Sequence, residues 1–313
     1  MSGPNSFIFN FKAFVYRLVL PVILMTGTVG FAFSWYFEKK IILKTSISGA
    51  YKVNRILTET YPDEIPIFGS SRAEGGYIPD SLGPAYFNYG LSGTKENVQL
   101  FFLEEECKKK KRTPYIILNF DLDGIGYGGG DMANYIPNAN IPSVKALMGE
   151  QYRFSFRIPF IKYYGYYELY FKYFLNERMN LTKYSNKGAS IEKDVLPVQK
   201  FNQLVQERKN SQTLFECNSS LKNRLFSLIL NHPERFYLFV VAPYHASYFE
   251  KYQNLSEATI FLKELAGIKN VRIFNFSKVT YPDSCFLNTT HLNYKGAVLF
   301  NRQLKDSLAQ IIR

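Results

Sequence analysis

The stretch Glu64–Tyr77, EIPIFGSSRAEGGY, decides the fold. Ile65–Phe68 is a short apolar run, and the chain then turns at once into Gly69-Ser70-Ser71-Arg72. A strand that breaks at Gly-x-Ser lifts a serine hydroxyl onto the carboxyl edge of a sheet, where open α/β sheets place their sites. Two later segments answer it: Asn88-Tyr-Gly-Leu-Ser-Gly93 after the next apolar run, and His291-Leu-Asn near the C-terminus.

Working outward, the rest of the α/β pattern follows. Residues 46–63 carry an amphipathic helix with Ala50, Val53, Ile56 and Leu57 at helical spacing, closed by Pro62. Ala85–Tyr89 is the second strand. Thr94 is placed to cap a helix over Lys95–Lys111, with Asn97 at the third position of a partial capping box. Tyr115–Phe120 is the third strand, ending in Asp121-Leu-Asp123 and the glycine-rich Gly124–Gly130. Helices over Val198–Lys209 and Ser219–Asn231 precede a strand at Phe236–Ala242. A helix at Glu257–Ala266, a strand at Val271–Phe274, a loop over Asp283–Asn293 and a helix over Tyr294–Ile312 complete the chain. Five apolar strands alternating with helices predict parallel βαβ units, hence a three-layer α/β/α sandwich of flavodoxin-like type with a mostly parallel five-stranded sheet.

Residues 131–197 interrupt that alternation. Between Glu150 and Tyr184 stand 13 Tyr and Phe among 35 residues, with six Lys and Arg against three Glu. Tyr163, Tyr166, Tyr167, Tyr170 and Phe174 recur at helical spacing, which reads as a helical insertion packed on the domain. A membrane-surface helix and a groove for sugar rings are the sharper alternatives.

Before the domain lies an anchor. Leu18–Phe37 is 20 residues without a charge, enough to cross a hydrocarbon core of ~30 Å. Trp35 and Tyr36 at its end suit an interfacial belt. The run is too long for a signal-peptide core, and Ala32-Phe33-Ser34 is a poor cleavage site. Residues 1–45 therefore read as an N-terminal tip and an uncleaved transmembrane helix, and 46–313 as one α/β domain with its insertion. Lys12 and Arg17 flank one end and Lys39, Lys40 and Lys44 the other, so charge alone leaves the orientation open.

Composition narrows the chemistry. With 38 Lys and Arg against 26 Asp and Glu, the net charge of +12 favours anionic neighbours. No zinc-finger, RNA-binding or basic-zipper signature accompanies it, so nucleic acid is not expected as a partner. Three well-separated cysteines, Cys107, Cys217 and Cys285, form neither a disulfide framework nor a metal site, and neither metal nor cofactor is expected. Only three histidines occur. His232 and His245 stand at a helix end and a strand end as ordinary structural residues. His291, in the C-terminal loop before a helix, is the one placed to take a proton from a serine. Alone, Ser71 reads first as a turn serine bonding local backbone, and Gly93 as a left-handed turn glycine, a role compatible with an oxyanion-hole amide.

In order and flanking residues the three segments resemble the SGNH, or GDSL-like, hydrolase superfamily over most of 64–130 and 235–313. That resemblance implies Ser71 as nucleophile, Gly93 as oxyanion-hole amide and His291 as base. Phe286-Leu-Asn288-Thr-Thr-His291-Leu-Asn-Tyr-Lys-Gly296 keeps the last block except its acid, for which Asn288 stands in, with Asp283 as a substitute if the loop folds back. The asparagine that completes the family's oxyanion hole is absent, and Asp121 and Asp123 at that strand end are acceptors that would oppose an oxyanion unless protonated or turned away. The Gly-Ser-Ser variant behind one anchor looks most like a bacterial branch that assists multi-span MBOAT-type acyltransferases in teichoic-acid D-alanylation or polysaccharide acetylation. What the resemblance implies is an inner-membrane, single-pass serine esterase or O-acyltransferase with a periplasmic domain, acting on O-acyl groups of an envelope polysaccharide or teichoic-acid-like polymer. A catalytically silent domain serving as partner or glycan-binding module is the alternative, and a membrane-tethered lipid esterase stands third.

Overall fold

A computed structural model describes residues 11–45, 48–179 and 183–312; the first ten residues of the expected N-terminal tip lie outside them. Helix α1, Leu20–Lys40, continues the helical turns that begin at Phe11, and most of its apolar side chains are exposed, Phe37 being buried. The segment Phe11–Lys44 is long and apolar enough to cross a membrane. Then come α2 (Gly49–Thr58), β1 (Ile65–Phe68), α3 (Ser71–Gly76), β2 (Tyr86–Asn88), α4 (Glu96–Cys107) and β3 (Tyr115–Asn119). The insertion holds α5 (Pro142–Met148), several single helical turns, α6 (Tyr167–Met179) and a hairpin of β4 (Lys183–Asn186) with β5 (Ala189–Glu192). The remaining elements are α7 (Val198–Asn210), α8 (Ser219–Asn231), β6 (Phe236–Val241), α9 (Leu255–Ala266), β7 (Val271–Asn275) and α10 (Tyr294–Leu308).

The five-stranded sheet runs β2-β1-β3-β6-β7 and is parallel throughout. Strand residues alternate between its faces. Ile116 and Leu118 of β3 join Val53, Val98, Leu225 and Phe261 in one core. Ile117, with Ile67 and Leu238 beside it, faces Tyr77, Phe300 and Leu304 in the other. Three layers result because the inner strands are apolar on both sides, so helices must cover both. The strand order reverses between β1 and β3, and the crevice at that switch point, above the carboxyl ends, is where such a sheet binds ligands.

The structure corrects the sequence reading at three points. The first turn of α4 begins at Glu96, with Lys95 at the cap position and no side-chain cap bond; Thr94 instead gives its hydroxyl to the Leu91 carbonyl at 2.7 Å. Its bend thus tightens the Gly93 turn rather than starting the helix. The insertion is not wholly helical, because the β4–β5 hairpin turns on Lys187-Gly188, both at positive φ. That turn docks on β2, where the Asn88 amide donates to the Lys187 carbonyl at 2.9 Å. An alternating strand pattern of eight residues is too short to stand out beside the aromatic run. Finally, 2 two-residue segments, Gly124–Ile125 and Glu216–Cys217, pair in parallel at the rim of the cleft.

One buried ion pair sets the loop after β2. The Lys52 side chain of α2 is wholly buried, and its Nζ donates to Glu74 Oε1 at 2.9 Å and to the Gly90 carbonyl. Glu74 in turn accepts from the Ser92 amide at 3.0 Å and from its hydroxyl. Gly90 has no room for a side chain, since a Cβ would meet the Glu74 amide nitrogen at 2.4 Å. Breaking one partner of such a pair leaves a charge without compensation. Lys52→Met is expected to lower the unfolding free energy by about 3 kcal/mol. The double variant Lys52→Met with Glu74→Gln should be closer to wild type, as read by chemical denaturation of the detergent-solubilised chain.

Candidate active site

Ser71 opens α3 directly after β1, and His291 lies in the loop before α10, 220 residues away. The fold brings Ser71 Oγ to 2.8 Å from His291 Nε2. Both line an open cleft of about 590 Å³ whose walls also hold Gly93, Lys95, Arg208, Tyr244, Tyr248 and Thr290. Gly93 sits at φ +75°, a left-handed backbone that favours glycine. Among the described residues, neither its amide nor that of Ser71 has an acceptor in the protein, so both N–H groups of this cleft are free to donate.

The imidazole is fixed by what it touches on its other side. Nδ1 lies 3.1 Å from Asn288 Oδ1 and 2.9 Å from Thr290 Oγ1. With Nε2 accepting from Ser71, Nδ1 carries the hydrogen; this tautomer follows from the network. Asn288 Oδ1 also accepts from the amides of Thr290 and His291, both at 2.9 Å, and from the Thr290 hydroxyl at 3.0 Å. Four donors converge on one amide oxygen that has two lone pairs, an arrangement a carboxylate would satisfy better. Asp283 is not part of it: its Oδ1 meets His245 Nε2 at 3.2 Å, while His245 Nδ1 meets Ser247 Oγ at 2.8 Å. The expected substitution of Asp283 for the triad acid is therefore corrected, because the helical turn at Asp283–Cys285 turns its carboxylate toward the β6 loop. His232 lies at the surface, 3.1 Å from Glu234.

The carboxylates at the end of β3 both have cationic partners. Asp121 accepts from Arg72 Nη1 at 3.1 Å, from Asn119 Nδ2 at 2.8 Å and from the Ser70 hydroxyl. Its charge is neutralised rather than aimed at an oxyanion. Asp123 pairs with Lys95 at 2.8 Å. Glu96, buried at the cleft floor and accepting from the Gly126 amide at 2.9 Å, has its pKa pushed up to about 8 by burial.

Arg72 is the residue that sequence reasoning missed. It is buried, and its guanidinium donates to the Thr290, Ala242 and Pro243 carbonyls at 2.8, 2.9 and 2.9 Å while lying 3.5 Å over the Tyr244 ring. Its only sequence signal was its place after Ser71; burial of a single arginine cannot be read from spacing. Burial first, and then the nearby Arg72 charge, lower the His291 pKa to about 4, with Asp121 opposing them.

No family model and no curated protein sequence matches this chain. Among solved structures, a chain from Streptococcus pneumonia named for platelet activating factor matches over 95% of this chain and 99% of that one. The identity is 13% and the TM-score 0.41, a likeness too low to add to what the geometry says.

The depressed His291 pKa has a checkable sign. A free histidine titrates near 6.5, whereas this one is neutral in the fold down to about 4. The folded chain thus binds fewer protons between those values, and His291 favours folding fully above 6.5 and progressively less toward 4. Titration of the His291 ring by NMR should place its midpoint well below the 6.5 of a free histidine.

Proposed function

We propose that the chain is a membrane-anchored serine acyl-transfer protein of SGNH-like type, a serine esterase or O-acyltransferase. Its substrates are O-acyl groups of a bacterial envelope polysaccharide or teichoic-acid-like polymer. The observation that carries the reading is the 2.8 Å contact of Ser71 Oγ with a histidine whose Nδ1–H is already directed at Asn288 and Thr290. Ser71 Oγ would attack an ester carbonyl while His291 Nε2 takes its proton. The Ser71 and Gly93 amides would receive the oxyanion, and His291 would return the proton to the departing alcohol. The acyl group would then pass from Ser71 to water or to a sugar hydroxyl. The motif resemblance supports the polymer substrate, a multi-span MBOAT-type acyltransferase as partner, and an inner-membrane anchor with the domain in the periplasm.

Asn288 supports the second reading, a silent domain that binds partner or glycan. An amide orients the imidazole but supplies no charge to an imidazolium, and in a serine protease the corresponding Asp→Asn change costs about 10⁴ in rate. A serine-directed fluorophosphonate should label wild type and neither Ser71→Ala nor His291→Ala. Asn288→Asp should raise the labelling rate about tenfold or more and move the acid limb of its pH profile upward, since a carboxylate stabilises imidazolium. A wild type that never labels, with Ser71→Ala still supporting glycan acylation in cells, would decide for the silent domain.

A further inference from the structure

The aromatic insertion does not merely cover the domain; it lies along the spanning helix. Phe160 rests on α1 at Gly30, where a Cβ would meet the Phe160 Cβ at 3.5 Å. Phe33 and Phe37 of α1 pack on Phe160, Tyr163, Tyr167 and Tyr170, with ring centroids 5.0–6.2 Å apart. Above them, Glu38 at the polar end of α1 accepts from Lys162 and from the Tyr163 hydroxyl. The contact at Gly30 lies five residues before Trp35, so about 7 Å deeper along a helix axis that rises 1.5 Å per residue. Trp35 and Tyr36 are exposed, as side chains of an interfacial belt are.

The outward side of this segment is apolar. Phe154, Ile158, Phe160, Ile161 and Tyr164 are exposed, Tyr164 at 84%. In water such a patch would be a liability. Its backbone is arranged for another solvent. The Ile158 carbonyl accepts from Lys162 at 2.9 Å, Pro159 from Ile161 at 2.8 Å, Ile161 from Tyr164 at 2.9 Å and Tyr163 from Tyr166 at 2.8 Å. Pro159 has no N–H to satisfy, and the Phe160 carbonyl takes the Tyr167 hydroxyl. Phe160 is held at φ +67°, a left-handed conformation rare for a bulky residue. Strain is thus accepted to close a turn in which the carbonyls of residues 158–161 and 163 are all paired, as hydrocarbon favours.

We infer that residues 154–164 form a wedge inserted into the membrane leaflet at the domain end of α1, with phospholipid acyl chains as its occupant. Two observations choose lipid over a protein partner. The wedge is continuous with the outward, apolar surface of the spanning helix, and its side chains sit at the depth of ~5–10 Å at which interfacial segments lie. Arg153 and Arg157, both exposed, border it, cations suited to phosphate headgroups. The wedge makes the anchor a two-point attachment and fixes the tilt and rotation of the α/β domain. This holds whether or not Ser71 is a working nucleophile.

The test is fluorescence depth quenching of the full-length chain in phospholipid vesicles, in a Trp35→Phe background that removes the only native indole. Tyr164→Trp and Ile161→Trp report on the wedge; Leu230→Trp, on the exposed side of α8, is the control. Lipids brominated near the headgroup end of the acyl chain should lower emission about twofold for both wedge reporters, and less when brominated at the methyl end. The control should not respond. Wedge reporters as unquenched as the control in these partner-free vesicles would overturn the inference and leave the face for membrane helices of another protein. Circular dichroism matching wild type ensures that a negative result is not misfolding.

Discussion

The arrangement depends on one buried guanidinium. Arg72 gathers the carboxyl ends of strands that are distant in sequence: Asp121 after β3, the Ala242 and Pro243 carbonyls after β6, and the Thr290 carbonyl beside His291. A lysine could satisfy one or two of these partners but has no planar fork to span them. Each bond holds a loop at the switch point of the sheet, so the Ser71–His291 distance is a consequence of where Arg72 sits. The same charge disfavours an imidazolium on His291. Position and basicity are therefore traded against each other within one side chain.

Asn288 sharpens that trade. In a serine–histidine pair the third residue orients the ring and offsets the charge that forms on it. Asn288 does the first through Nδ1 and through the two backbone amides it accepts. It cannot do the second, and Asp121, the carboxylate that raises the His291 pKa, is already bonded to Arg72. The site is built for a neutral imidazole.

What the sequence disclosed and what it hid divide along physical lines. The five strands were legible because Ile65–Phe68, Tyr115–Asn119 and Phe236–Val241 are apolar on both faces, a local property. Ser71, Gly93, Asn288 and His291 were legible as motif positions, and three of them meet around one hydrogen-bond chain while Gly93 lines the same cleft. Asp283 could not be placed, because eight residues of loop let a carboxylate reach either His291 or His245. Lys52, Glu74 and Arg72 were invisible for a related reason. A buried charge is stabilised by partners that tertiary structure alone brings close, as with Lys52 and the Gly90 carbonyl 38 residues on.

Those hidden charges also connect the N-terminal apolar helix to the cleft. Phe37 of the anchor packs on Tyr170, whose hydroxyl bonds the Ala133 carbonyl. The next residue, Asn134, lies so close to Gly49 that a Cβ there would meet its Oδ1 at 2.2 Å. Gly49 opens α2, and α2 carries Lys52, which holds Glu74 and Gly90 and so the Gly93 turn. Each step is close packing or a buried polar bond, with no exposed linker between them. A domain on a flexible tether would sample many heights above a bilayer. This one has its cleft tied to its N-terminal helix through a short series of close contacts, so the position of the cleft relative to that helix is fixed.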